Sequence, residues 1–302
     1  MKHLISIDDV NKKQIEQLFH ITDQIRQSPK QYATSLEGKV IATLFYEPST
    51  RTRLSFEAAI QRLGGNVIST ENARELSSAV KGENLEDTVR VVQGYSDAII
   101  LRHYEDRAAE IAANVADVPV INAGSGAREH PTQALLDLYT IYSIKGKIDG
   151  LTYVVSGDLL YGRTVHSLVK KLAHYPGVKI YGLSRPEFAL PQDYVDYLSQ
   201  YQVPYIPCTD FTDVPPTADV IYHTRTQLER MGDQRKDGAE IIIDEQVMNR
   251  FGKNTILMHP LPRNREIAPE VDQDERAVYF EQSRNGMYVR MGLLHTLLNQ
   301  SV

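Results

Sequence analysis

One cysteine in 302 residues, Cys208, leaves no partner for an internal disulfide, and that scarcity fits a chain kept in a reducing cytoplasm. No apolar run approaches the roughly 18 residues that a membrane span needs. The opening MKHLISIDDV has no signal-peptide core, so a soluble, cytoplasmic protein with no membrane partner is expected. The net charge is −6 and no long basic run occurs, which argues against a nucleic-acid partner. Several catalytic signatures are missing too. No GxxxxGK[ST] loop suggests a nucleoside triphosphatase, and no HExxH or paired Cys/His cluster suggests a metal. No GxSxG elbow offers a serine nucleophile, and Cys208, in YIPCTDF, has no adjacent base and reads as an apolar filler. GSGARE (124–129) carries half a dinucleotide fingerprint without its third glycine. No cofactor is expected.

What the chain does contain is an alternation of short β-branched runs with amphipathic stretches. Strand candidates are KVIATLF (39–45), GNVIS, DAIILRH, VPVINAG, LTYVVSG, KIYGL, DVIYHT and TILMHP. Helical candidates include NLEDTVRVVQGY, DRAAEIAANVA, TQALLDLYTIYSI, RTVHSLVKKLA and YVDYLSQY. That rhythm predicts an α/β protein of two domains, each a mainly parallel β-sheet flanked by helices. KGKIDG (145–150) ends a long helix in glycine and polar residues. The boundary is placed there, between domains 1–145 and 146–284, with about four strands in each half.

In FYEPSTRTRLSFEAAIQRLGG (45–65), the spacing of Phe56, Ala59, Ile60 and Leu63 predicts a helix. It starts at Pro48, Ser49 and Thr50 and stops at Gly64 and Gly65. Arg51 and Arg53 then fall in the first turn, where the helix dipole makes each cation cost roughly 0.3–1 kcal/mol. Either both arginines point into solvent, or the helix N-terminus, three hydroxyls and a planar guanidinium hold a phosphate. Five more strand ends carry notable polar groups: Arg102, SGAREHPTQ, DLLYGRT, TRTQ and HPLPR. Ligands of open parallel sheets bind beyond the carboxyl ends of the strands, so these six ends mark the candidate site. Pro131 suits a first helical position, leaving His130 as the cap residue, with Gln133 three residues on. A lone histidine there is either structural or a donor to a developing oxyanion. Without metal, nucleotide loop or covalent nucleophile, a phosphate compound would react by direct transfer under positioning and charge stabilisation.

FYEPSTRTR, VKGENLEDT, ILRH, HPTQALLDLY, GDLLYGRTVHSL, TRTQ and MHPLPR, in this order, resemble the catalytic chain of the aspartate carbamoyltransferase family, from about residue 38 onward. The resemblance implies two α/β domains with the active site in the cleft between them, and a C-terminal helix, about 285–302, packing back on the first. It implies transfer of the carbamoyl group of carbamoyl phosphate to L-aspartate, the committed step of pyrimidine biosynthesis. By motif, Ser49, Thr50, Arg51 and Thr52 hold the phosphate. Thr52, Arg102 and His130 surround the carbamoyl oxygen, and Gln133 the carbamoyl nitrogen. The backbone of Leu261 and Pro262, joined by a cis bond, faces that same nitrogen. Arg163, Arg225 and Gln227 bind the aspartate carboxylates, and Lys81 reaches both substrates. Glu47 and Arg230 match the family's interdomain bridges. Ser77 and Ser78 both fit the phosphate-contacting serine, with spacing favouring Ser77. The family further implies a homotrimer with active sites shared between chains, and leaves open a regulatory chain or a dihydroorotase partner. Ser125, Arg128 and Glu129 depart from the family, which commonly has Asp and an amide before the His-Pro pair.

Two other readings stand beside this one. Ornithine carbamoyltransferases share the STRTR and HPTQ machinery but typically read His-Cys-Leu-Pro where this chain has His259-Pro260-Leu261-Pro262, and ornithine's amine would need an acidic partner. A catalytically silent anion-binding subunit would have no need for the full set of polar residues.

Overall fold

A computed structural model describes residues 2–76, 81–126, 128–227 and 240–299. The chain divides into two compact units: residues 1–139 with 284–302, and residues 140–283.

The first unit opens with helix α1 (Lys12–Gln27), started by reciprocal hydrogen bonds between Asn11 and Gln14 and burying Ile15, Leu18, Phe19, Thr22 and Ile25. There follow β1 (Val40–Phe45), α2 (Thr50–Arg62), β2 (Asn66–Glu71), α3 (Ala73–Leu76), α4 (Leu85–Val92), β3 (Ala98–His103), α5 (Ala108–Val115) and β4 (Val120–Ser125). These strands form a parallel sheet in the order β2-β1-β3-β4. Near-continuous apolar runs such as VIATLF are what a parallel strand covered on both faces requires, and five of those six residues are buried. Helix α6 (Pro131–Lys145) follows, and the division between the units falls within it, after Tyr139.

The second unit contains β5 (Thr152–Ser156), α7 (Arg163–Leu172), β6 (Lys179–Leu183), α8 (Gln192–Gln200), β7 (Tyr205–Cys208), β8 (Val220–His223), α9 (Glu245–Asn249) and β9 (Ile256–Met258). Its sheet is also parallel, ordered β7-β6-β5-β8-β9. Among the described residues it carries five strands where about four were expected. The addition, β7, is a four-residue edge strand interrupted by Pro207, whose missing N–H is harmless only at an edge. Leu183, Cys208, Ile221, Leu257 and Tyr279 belong to one buried cluster of this unit. Cys208 is thus a core residue, as its sequence context suggests.

The last helix, α10 (Tyr279–Asn299), belongs to the first unit from Arg284 onward. There Gly292 lies against Thr22 and Leu18 of α1, and Ser35 hydrogen-bonds His295 at 2.9 Å. Among the described residues, no helix is long and apolar enough to cross a membrane.

A buried histidine at the carboxyl end of β8 makes stability depend on pH. The Nε2 of His223 faces the carbonyl of Ile241 at 3.0 Å and therefore carries the proton, while the Ser156 hydroxyl sits 2.7 Å from Nδ1. Burial, reinforced by His259, pushes its pKa down to about 4 from 6.5. An unfolded chain then binds a proton that the folded one refuses. The stabilisation is present above pH 6.5 and is lost as the pH falls toward 4. Acidification from pH 6.5 to 4.5 should remove about 2 kcal/mol through this group alone. Denaturant midpoints across that range should show the loss, and His223→Gln should flatten the slope.

Candidate active site

In the first sheet the strand order reverses direction beside β1, since β2 lies on one side of it and β3 and β4 on the other. That is the topological switch at which open α/β sheets bind ligands. β1 ends at Phe45, in register with Arg102 of β3. Helix α2 starts a few residues later with Ser49 as its cap residue, yet the Ser49 side chain makes no capping hydrogen bond. Thr50 and Arg51 are exposed and Thr52 is buried. Beyond β4, His130 is buried and precedes Pro131, the first residue of α6. The chain thereby brings Thr52 and His130 together: Nε2 lies 3.5 Å from the Thr52 hydroxyl, and Nδ1 lies 3.5 Å from that of Thr132. Arg102 is largely buried, donates to the Ala123 carbonyl at 3.3 Å and pairs with Glu47 at 3.6 Å. Gln133 donates through Nε2 to Asp137 at 2.8 Å.

The two first-turn arginines of α2 separate. Arg53 pairs with Glu71 of β2 at 2.7 Å and approaches Glu57 at 3.9 Å. Glu57 also accepts from Thr43 and Ser69. Arg53 thus ties the helix to β2, and Arg51 is exposed at the helix N-terminus.

The second sheet reverses beside β5, between it and β8. The loops that follow these two strands are stitched together. Asp158 accepts from the Tyr161 and Gln227 amides at 2.9 and 3.0 Å, and the Gln227 side chain donates to the Tyr161 carbonyl at 2.6 Å. Gly157, at φ +102°, lets the Thr224 carbonyl approach so closely that any Cβ would collide with it. Arg163 begins α7 in one loop, and Arg225 and Gln227 lie in the other, all three half-buried. Asp158 is the residue that the motif reading missed; its signal was the Gly157-Asp158 pair directly after a strand. Burial raises its pKa, and the backbone N–H groups it accepts from work against that rise.

The loop after β9 contains a cis Leu261–Pro262 bond, as the resemblance implies, and Leu261 sits at φ +48°. A leucine in the left-handed region needs support from its surroundings. Here the Leu261 N–H donates to His259 Nδ1 at 2.9 Å and the His259 N–H to Gln282 at 2.9 Å. His259 Nε2 lies 3.0 Å from Glu266, though it is not aligned for a hydrogen bond.

Not every expected residue joins these groups. Ser77, Ser78 and Arg230 lie outside the described residues. Lys81 is exposed and makes no hydrogen bond or ion pair among the described residues. In the departing loop, Glu129 accepts from the Ser6 hydroxyl and the Ile7 amide, both at 3.0 Å, so it anchors the N-terminal segment. Among the described residues, no cluster of His, Cys, Asp or Glu is arranged to hold a metal ion.

Residues 2–143 match the family described as "Aspartate/ornithine carbamoyltransferase, carbamoyl-P binding domain", and residues 149–297 match "Aspartate/ornithine carbamoyltransferase, Asp/Orn binding domain". The chain is 48% identical to the chloroplastic aspartate carbamoyltransferase of Arabidopsis thaliana over 95% of this chain and 75% of that protein. The chain belongs to the aspartate carbamoyltransferase family. Among solved members of that family, the catalytic subunit of M. Jannaschii aspartate transcarbamoylase superposes with a TM-score of 0.91 at 45% identity, covering 100% of this chain and 99% of that one. The Trypanosoma cruzi enzyme in complex with carbamoyl phosphate and aspartate gives 0.91 at 38% identity, over 98% and 95%.

The split between Arg51 and Arg53 sets up a test within this family. Arg51→Ala should weaken binding of inorganic phosphate by on the order of 10²-fold while the melting temperature holds. Arg53→Ala should leave phosphate binding within a few-fold and destabilise the chain by about 1 kcal/mol through its lost ion pairs. Calorimetric titration and thermal melts read both outcomes, and the reverse pattern would exchange the roles of the two arginines.

Proposed function

We propose that this chain carries the carbamoyl group of carbamoyl phosphate to the amino group of L-aspartate, releasing N-carbamoyl-L-aspartate and phosphate in the committed step of pyrimidine biosynthesis. The observation that carries the reading is the buried Thr52–His130 pair at the switch point of the first sheet, beside the N-terminus of α2. The first unit then serves as the carbamoyl-phosphate-binding domain and the second as the aspartate-binding domain.

Ser49, Thr50, Arg51 and Thr52 take the phosphate, where helix amides and a guanidinium meet a dianion. Attack by the aspartate amine on the carbamoyl carbon puts negative charge on the carbamoyl oxygen. Thr52, Arg102 and His130 stabilise that charge as donors. Gln133 accepts from the carbamoyl NH₂, as do the backbone carbonyls around Leu261 and Pro262. The C–O bond to phosphate then breaks as the amine gives up a proton, and the phosphate takes that proton and leaves from its own binding site. Arg163, Arg225 and Gln227 hold the two carboxylates, and this set favours aspartate over ornithine, whose side chain ends in a cation.

We place the protein in the cytoplasm, where its single buried thiol suits a reducing medium. Supplying carbamoyl phosphate with either aspartate or ornithine to the purified chain tests the assignment. Aspartate should be the faster acceptor, faster turnover of ornithine would reverse the substrate, and no turnover of either would favour a silent subunit. His130→Ala should lower kcat by roughly 10²–10³-fold, with a much smaller change in carbamoyl phosphate affinity. An unchanged kcat with a raised KM would make His130 a ground-state contact.

Lys81 is exposed, and it is the family resemblance that supports a homotrimer in which this residue completes the site of a neighbouring chain. Mixing inactive Arg51→Ala and Lys81→Ala proteins under mild dissociation and reassembly should restore activity, since some interfaces then carry both native residues. Reassembled particles of full size that stay as inactive as either parent would place Lys81 in the site of its own chain.

A further inference from the structure

Gln133 can serve a carbamoyl NH₂ only if its amide presents oxygen, and an amide side chain fits a pocket nearly as well turned over. The structure supplies a constraint on that choice one turn further along α6. Asp137 is completely buried and accepts from Gln133 Nε2 at 2.8 Å. A carboxylate offers acceptors only, so it holds the amide nitrogen and turns Oε1 the other way. The reversed amide would set two oxygens against each other in a dry interior.

A buried carboxylate needs a nearby cation. The candidate lies at the far end of the chain, where Gly286 packs against Leu136, the neighbour of Asp137. Arg290 of α10 is only 3% exposed, and its guanidinium carbon stands 4.9 Å from the centroid of the Phe56 ring on α2. Its Nε makes no hydrogen bond among the described residues. Space for it is kept by Gly286, one turn earlier, where a Cβ would lie 2.6 Å from an Arg290 terminal nitrogen. Burial pulls the Arg290 pKa down to about 10, and the charge of Asp137 acts against that pull. The guanidinium therefore remains charged at neutral pH.

We propose that Asp137, with Arg290 as its buried countercharge, is a positioning residue that fixes the Gln133 amide as an acceptor and so lets the site distinguish a carbamoyl phosphate from a bare phosphate. This rests on the assignment of Gln133 to the carbamoyl nitrogen made above. Neither Asp137 nor Arg290 need touch the substrate.

The test compares binding of inorganic phosphate and of carbamoyl phosphate to three variants: Gln133→Ala, the paired apolar replacement Asp137→Leu/Arg290→Met, and the triple combination. Replacing both charges at once leaves neither buried alone, so folding should survive, with thermal melts as the check. Gln133→Ala and the paired variant should each weaken carbamoyl phosphate about tenfold, the worth of one hydrogen bond, with phosphate binding within twofold. The triple variant should be no weaker than Gln133→Ala, because all the changes act through one amide. The proposal is overturned if the paired variant binds carbamoyl phosphate normally while Gln133→Ala does not, or if the losses add. Unchanged carbamoyl phosphate binding by Gln133→Ala would instead remove the contact on which the proposal stands. Asp137→Asn keeps the shape and covers a paired variant that fails to fold. It should weaken carbamoyl phosphate alone by two- to threefold, since either face of the Gln133 amide then finds a partner, and no change would overturn the proposal.

Discussion

A parallel sheet that is laid down from an inner strand outward in both directions leaves a gap at its carboxyl edge. The connection from the first strand climbs over one face, and the connection to the strand on its other side climbs over the opposite face. Both sheets of this chain are built that way, around β1 and around β5. Each gap collects the loop after the inner strand and the loop after its later-added neighbour. In the first unit these bring Thr52 and Arg102; in the second they bring Arg163, Arg225 and Gln227. The polar residues sit where the topology leaves room for them, and the apolar strands beneath hold their backbones still.

Much of this could be read from the chain because parallel strands are buried on both faces and appear as short β-branched runs. β7 was hidden by being an edge: Tyr-Ile-Pro-Cys is too short and too interrupted to look like a strand, and only the register of Gly182 opposite Pro207 makes it one. Helix α1 escaped for a different reason. Its stripe includes Thr22, a polar residue that is buried because its hydroxyl returns to the Leu18 carbonyl at 2.6 Å, and a polar letter breaks an apolar pattern.

The site shows the same division. Motifs give the residue types at strand ends, whereas the work of each side chain depends on partners far away in sequence. Glu57 stands four residues after Arg53 on the same helix, but Glu71, which lies closer to Arg53, belongs to a strand. Asp137 is likewise one turn from Gln133 and open to inspection. Arg290 is not, since no local pattern announces that a residue in the final helix faces the ring of Phe56. The support of a binding residue is a tertiary fact even when the residue itself is a motif.

The lone thiol carries one more consequence. Cys208 ends the edge strand of the second sheet with its side chain buried, and burial keeps its proton on by raising its pKa. Oxidants, glutathione and alkylating reagents act on accessible thiolates, and this sulfur offers neither access nor thiolate character. The 302 residues hold no second cysteine. Swings in cellular redox poise therefore find no accessible cysteine handle on this chain.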